Sequence, residues 1–162
     1  IFNYKYSQLK ILIHPDSYVH AIVKFNNGLI KILVHDTNMK IPIFNSFYSD
    51  FEKKIKTQDL NLSLLNKLNF RNIDTVKFPI VKILKEMPNK DSLFETVIVS
   101  ANDRLVELFL KKKITFNEIS FFLLKITKMP EFKKFKKINV KNIDQIVKLS
   151  DYVSLKVDNL AI

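Results

Sequence analysis

The chain has 162 residues, 47% of them hydrophobic and 14 of them Phe, enough for one ordinary domain or two small ones with a packed core. It has no Cys, which excludes disulfides and thiolate metal sites, and its longest apolar runs are only a few residues, too short for a membrane-spanning helix. Net charge is +11, but Lys outnumbers Arg 25 to 2 and Gly occurs once, a bias that tracks A/T-rich codons; Arg, the residue suited to bidentate phosphate and base contacts, is nearly absent, so charge alone does not make a nucleic-acid binder.

Residues Gln8 to Ile13 read as a strand entering a sheet, ended at His14-Pro15 because Pro15 removes a donor and biases His14 away from helix. Two β-rich runs follow, Ser17 to Phe25 and Leu29 to His35, joined by Asn26-Asn27-Gly28, whose tolerance of positive φ predicts a hairpin. Alternation puts Val19, Ala21, Val23 and Phe25 on one face of the first strand, and His20, Ile22 and Lys24 on the other. Both faces are partly apolar, so the hairpin is expected to be covered on both sides. The stretch "HDTNMKIP" reads as a turn and loop, and Phe47 to Lys67 as a connecting segment, partly helical.

From Leu68 the pattern becomes helical. Pro79 suits a first helical turn in "FPIVKILKEM". In "SANDRLVELFLKKK", Ser100 and Asp103 have the spacing of a cap, and Leu105, Leu108 and Phe109 form a stripe. Thr115 and Glu118 have capping-box spacing at the head of "TFNEISFFLLKITKM". Ile146, Leu149, Val153, Val157 and Leu160 recur at helical intervals in the last segment. The lysines at 111–113 and 133–137 read as solvated faces. No internal repeat and no signal-peptide pattern is present, and a first residue of Ile rather than Met reads as that of a fragment or processed product.

In order along the chain stand "IHPDSYVHA" from Ile13, the turn "NNG", "TNMKIPI" from Thr37, "LNF" at Leu68, "FP" at Phe78, "IVSAND", "ELFL" and "KKITFNEI". Together these resemble the C-terminal part of the 1-deoxy-D-xylulose 5-phosphate reductoisomerase family, across nearly the whole chain and with compatible spacings. The departures are Asp16 for the family's Gln, Thr37 and Asn38 for its Pro-Asp, Val99 for an Asn and Asp103 for a Glu.

The resemblance implies an α+β fragment: residues 1–48 as the second half of a catalytic domain, 49–67 as linker and 68–162 as a small helical bundle that buttresses the active site. It implies a full-length enzyme that rearranges and reduces its substrate to 2-C-methyl-D-erythritol 4-phosphate in non-mevalonate isoprenoid synthesis. NADPH would supply the hydride and Mg²⁺ or Mn²⁺ would chelate substrate oxygens, a hard cation stabilising alkoxide charge. The nucleotide-binding domain and metal carboxylates would precede Ile1, leaving this segment inactive alone. A homodimer in the bacterial cytoplasm or plastid stroma is implied, with neither a membrane nor a specific nucleic acid as partner.

Three residues carry what the resemblance assigns here: His20 and Ser17 to the substrate phosphate, and Met39 beside the nicotinamide. The hairpin would aim His20 and Met39 into one cavity roofed by the later helices. His14 reads as a turn residue, and His35 has no family counterpart. The three histidines do not read as a metal site, because Pro15 interrupts the strand between His14 and His20 and no carboxylate pattern accompanies His35. The rival classes are a non-catalytic relic or scaffolding domain and, less favoured, a basic nucleic-acid binder.

Overall fold

The computed structural model describes residues 4–48 and 53–161, and the fold is α+β. Two compact units form, one of Ile11–Ile73 and one of Ile1–Lys10 with Asp74–Ile162.

The strand expected from Gln8 shortens to β1, Leu12–Ile13, which opens the first unit, while Tyr6–Gln8, a single 3-10 turn, belongs to the second. Pro15 then opens a turn closed by the Ser17 N–H donating to the His14 carbonyl at 3.0 Å. The expected hairpin is present as β2, Val19–Lys24, and β3, Ile30–Val34. Its turn is a three-residue loop: Gly28 N–H donates to the Phe25 carbonyl at 3.0 Å, and Phe25 N–H to the Leu29 carbonyl at 2.8 Å. Of the loop residues only Gly28 has positive φ, at 86°.

Register alters the expected faces. Ile22 pairs with Ile32 and Val23 with Lys31, but Val19 pairs with Val34 while Ala21 pairs with Leu33. The extra residue in β2 is His20, so Val19 changes sides and joins Ile22 and Ile32 instead of Ala21 and Val23. Nor is the hairpin covered. Ile22, Val23, Phe25, Leu29, Ile30, Ile32 and Leu33 are all exposed, because a two-stranded ribbon has no second layer of its own among the described residues.

The stretch read as a loop after Asp36 contains a helix, α1, Lys40–Phe47. Pro42 falls in its first turn, where a missing N–H costs no intrahelical bond. Residues 49–52 of the expected linker lie outside the described residues. Further on, α2, Leu62–Asn66, is capped by the Asn61 Oδ1 atom accepting from Leu64 N–H at 3.0 Å. Then β4, Arg71–Asn72, pairs antiparallel with β1. That pairing ties residues 71–72 to residues 12–13, within the unit that ends at Ile73.

In the second unit Pro79–Glu86 is a 3-10 helix with Pro79 in its first turn. The long helix α3 spans Leu93–Leu110 and begins at Ser92, not Ser100. Ser92 Oγ accepts from Phe94 N–H at 3.2 Å, and Glu95 sits three residues on. Ser100 is therefore mid-helix and donates to Ser150 Oγ at 3.0 Å, while Asn102 and Asp103 are mid-helix too. The α4 helix, Phe116–Lys128, has the expected capping box, with Thr115 N–H donating to Glu118 Oε2 at 2.7 Å. Short α5, Pro130–Lys133, a 3-10 turn over Lys134–Lys137, and α6, Ile143–Ala161, complete the unit.

Phe94, Val97, Ala101, Leu105 and Leu108 recur every three or four residues and form one buried stripe of α3. It packs against Leu123 and Ile126 of α4, Phe132 of α5, and Leu149, Val153 and Val157 of α6. Ile146, expected on that stripe, is exposed, whereas Leu160 packs against it. Arg104 joins two helices outside the core, with Nε and Nη2 donating to the Asp158 carboxylate at 2.7 and 2.9 Å and Nη1 pairing with Glu107. Most of the lysine clusters are solvated as expected, but Lys136 lies over the Phe94 ring at 4.7 Å and pairs with Glu86.

Candidate functional site

The polar side chains of the first unit gather where the hairpin meets its two flanking turns. A cavity of about 440 Å³ is lined by Asp16 and Tyr18 from one side, Asp36, Asn38 and Ile41 from another, and the stretch from Lys56 to Leu64 from a third. Tyr18 is the one buried residue among the described residues of this unit, 5% exposed, and its carbonyl accepts the His35 N–H at 3.3 Å. Asp36 organises the rim: its carboxylate accepts the Gln58 N–H at 3.2 Å and its carbonyl the Asn38 N–H at 2.6 Å. Neither Tyr18, Asp36 nor the 56–64 stretch stands out in the sequence as a site. Asp36 lies in an apparent loop, and Gln58 is 22 residues away.

His20, Ser17 and Met39 do not line this cavity, so the shared pocket expected for His20 and Met39 is not formed there; their sequence neighbours Asp16, Tyr18 and Asn38 line it instead. Ser17 is exposed at φ 51°, a conformation L-residues seldom take, at the end of the Pro15 turn. Met39, 69% exposed, precedes α1, and Asn38 Oδ1 accepts the Lys40 N–H beside it at 3.0 Å. His20 sits in the bulge with its ring stacked on that of His35, centroids 3.6 Å apart.

His14 behaves as a structural residue. Its Nδ1 lies 3.0 Å from the Asn69 carbonyl and its ring 5.3 Å from Phe70. A carbonyl only accepts, so Nδ1 carries the proton; Nε2 is buried without a partner among the described residues. No group of three His, Cys, Asp or Glu side chains among the described residues is placed to hold a metal ion, and no described helix is long and apolar enough to cross a membrane.

The ionisable groups that depart from their ordinary values lie in the helical unit. Lys111 and Arg104 hold the Glu107 carboxyl below its usual range, the Thr115 N–H does the same for Glu118, and Tyr152 and Lys156 do so for Glu131.

A bulged hairpin followed by a capped all-helical unit, with "IHPDSYVHA" and "TNMKIPI" at the two ends of the hairpin, defines a class. The chain belongs to the family described as the DXP reductoisomerase C-terminal domain, which residues 35–154 match. The 1-deoxy-D-xylulose 5-phosphate reductoisomerase of Pelagibacter ubique is 59% identical to it over all 162 residues, which cover 42% of that protein. The protein of the same name from Persephonella marina is 33% identical over 83% of this chain and 36% of its own length. A crystal structure of DOX-P reductoisomerase with fosmidomycin and magnesium superposes with a TM-score of 0.76 at 23% identity, covering 99% of this chain and 40% of that one. Another, with NADPH, fosmidomycin and magnesium, gives 0.77 at 21% identity over 93% and 38%. The chain thus spans well under half the length of the relatives it matches.

Proposed function

We propose that the full-length protein carrying this segment converts 1-deoxy-D-xylulose 5-phosphate to 2-C-methyl-D-erythritol 4-phosphate, with NADPH as reductant and Mg²⁺ or Mn²⁺ as Lewis acid. The observation that carries this reading is 59% identity along the entire segment to an enzyme of that name. The metal and dinucleotide do not fit the residues present: no trio of ligating side chains stands together among the described residues, and a single Gly cannot build a glycine-rich phosphate loop. The part played by these residues is therefore binding. His20 and Ser17 contact the substrate phosphate, a protonated imidazole giving a charge-assisted hydrogen bond and the hydroxyl a neutral one. Met39 offers an exposed, polarisable thioether to the nicotinamide. The exposed apolar faces of the hairpin become buried when the rest of the catalytic domain and a second subunit are in place, which makes the enzyme a homodimer. It works in the cytoplasm or an equivalent stroma, without membrane or nucleic-acid partners.

The test is product formation. The full-length protein, given 1-deoxy-D-xylulose 5-phosphate and Mg²⁺, consumes NADPH and yields 2-C-methyl-D-erythritol 4-phosphate. A folded, soluble full-length protein that leaves NADPH untouched overturns the reading and favours a non-catalytic relic.

A further inference from the structure

His20 occupies the extra position of a β-bulge, because Val19 pairs with Val34 and Ala21 with Leu33. Bulges re-aim the side chains they carry. Here the imidazole lies flat on that of His35, with centroids 3.6 Å apart and planes 10° apart. Its Nε2 is 3.1 Å from the main-chain oxygen of the same residue, His35. A carbonyl oxygen only accepts, so Nε2 carries a proton and Nδ1 is the ring nitrogen that remains, with no hydrogen-bond partner among the described residues. His35 is itself held. Its Nδ1 donates to the Asp36 carbonyl at 2.6 Å, and its N–H donates to the Tyr18 carbonyl at 3.3 Å. One half-buried residue thus clamps the exposed His20 ring on its face and along its edge.

We propose that His35 is a positioning residue for His20, fixing ring plane and tautomer so that Nδ1 is the nitrogen presented to the sugar-phosphate anion. This rests on the reading of His20 as a phosphate contact. A ring already committed through Nε2 can become an imidazolium only by adding the proton at Nδ1. That is the form whose Nδ1–H makes a charge-assisted bond to a phosphate oxygen. An exposed imidazole without the clamp samples other rotamers and both tautomers, and binding must then order it. His35 adds this to a position where the family resemblance supplies no histidine.

Two readouts on the full-length protein test the proposal. In nitrogen-15 histidine spectra, the His20 signals, assigned by their loss in His20→Ala, show the Nε2–H tautomer in the wild type and a tautomer mixture in His35→Ala. In steady-state kinetics, His35→Ala raises KM for 1-deoxy-D-xylulose 5-phosphate by about three- to tenfold, the cost of ordering one freed side chain on binding, with kcat little changed. His35→Phe, which restores the stacked ring above a main-chain carbonyl that both variants keep, recovers most of both. An unchanged His20 tautomer in His35→Ala, an unchanged KM, or no rescue by His35→Phe overturns the proposal. A wild-type protein without turnover defeats the functional reading instead, and the tautomer spectra still decide whether His35 orients His20.

Discussion

Gly28 and Lys112 make opposite choices at positive φ. Gly28 has φ 86° in the hairpin loop, and a Cβ there would meet nothing within 4 Å, so the whole cost of a side chain is conformational. Gly28→Ala should lower stability by about 1–2 kcal/mol, the penalty of the left-handed region for an L-residue, read from denaturant midpoints. Lys112, at φ 58°, stands where helices usually place glycine after their last turn. Lys113 N–H donates to the Leu108 carbonyl at 2.9 Å and Lys112 N–H to that of Phe109 at 2.8 Å, the crossed pair of bonds of a Schellman cap. Lys112→Gly should therefore stabilise the protein by about 1 kcal/mol. A chain with one glycine leaves such a gain unused; a midpoint that does not rise would show that the Lys112 side chain compensates. Ser17, at φ 51°, carries similar strain without a helix cap to explain it, at a residue proposed to contact the substrate phosphate.

At the scale of elements, the helical unit rests on the α3 stripe. Leu105 is fully buried against neighbouring helices, so Leu105→Ala should cost about 2–5 kcal/mol through lost burial and an incompletely collapsed cavity. A loss below about 1 kcal/mol in thermal or denaturant unfolding would contradict the packing described. Elements whose cause is local could be read from residues: Asn26-Asn27-Gly28 announced the hairpin, and Thr115 with Glu118 announced α4. Local signals also misled. "SAND" imitates a cap at Ser100, while the operative Ser92 and Glu95 stand 13 and 10 residues before Leu105, the first residue of the stripe expected from the sequence. The stretch "HDTNMKIP" reads as a loop by its polar composition, yet α1 starts inside it at Lys40. Long-range causes left no trace at all. The β1–β4 pairing joins residues nearly 60 apart, and the bulge at His20 arises from register with β3, which strict alternation along one strand cannot reveal. The site was legible in part for this reason. The family motifs point to Ser17, His20 and Met39, but the stacking on His35 and the cavity rim built by Asp36 and Gln58 are products of the fold.

For the whole molecule, stability should depend on pH with a definite sign. Glu107, Glu118 and Glu131 are held below their ordinary values in the fold, as is Asp74 by the N–H groups of Val76 and Lys77. Near their folded pKa values the unfolded chain binds more protons, so their stabilisation is complete above the usual carboxylate range and is lost as pH falls through it. The melting temperature of the full-length protein should drop steadily between about pH 5 and about pH 3, and a flat profile there would contradict these pairings. The exposed positions of these groups make the slope modest and sensitive to salt.

On the proposed function, the hairpin wall of the first unit, with His20 on it, is where this segment meets the substrate. The direct measurement is KM for 1-deoxy-D-xylulose 5-phosphate in full-length wild type and His20→Ala, followed by NADPH consumption at saturating Mg²⁺. Loss of a hydrogen bond to a charged phosphate predicts a rise of about 10- to 100-fold, with circular dichroism unchanged. An active, folded His20→Ala enzyme with wild-type KM would show that the phosphate is held elsewhere.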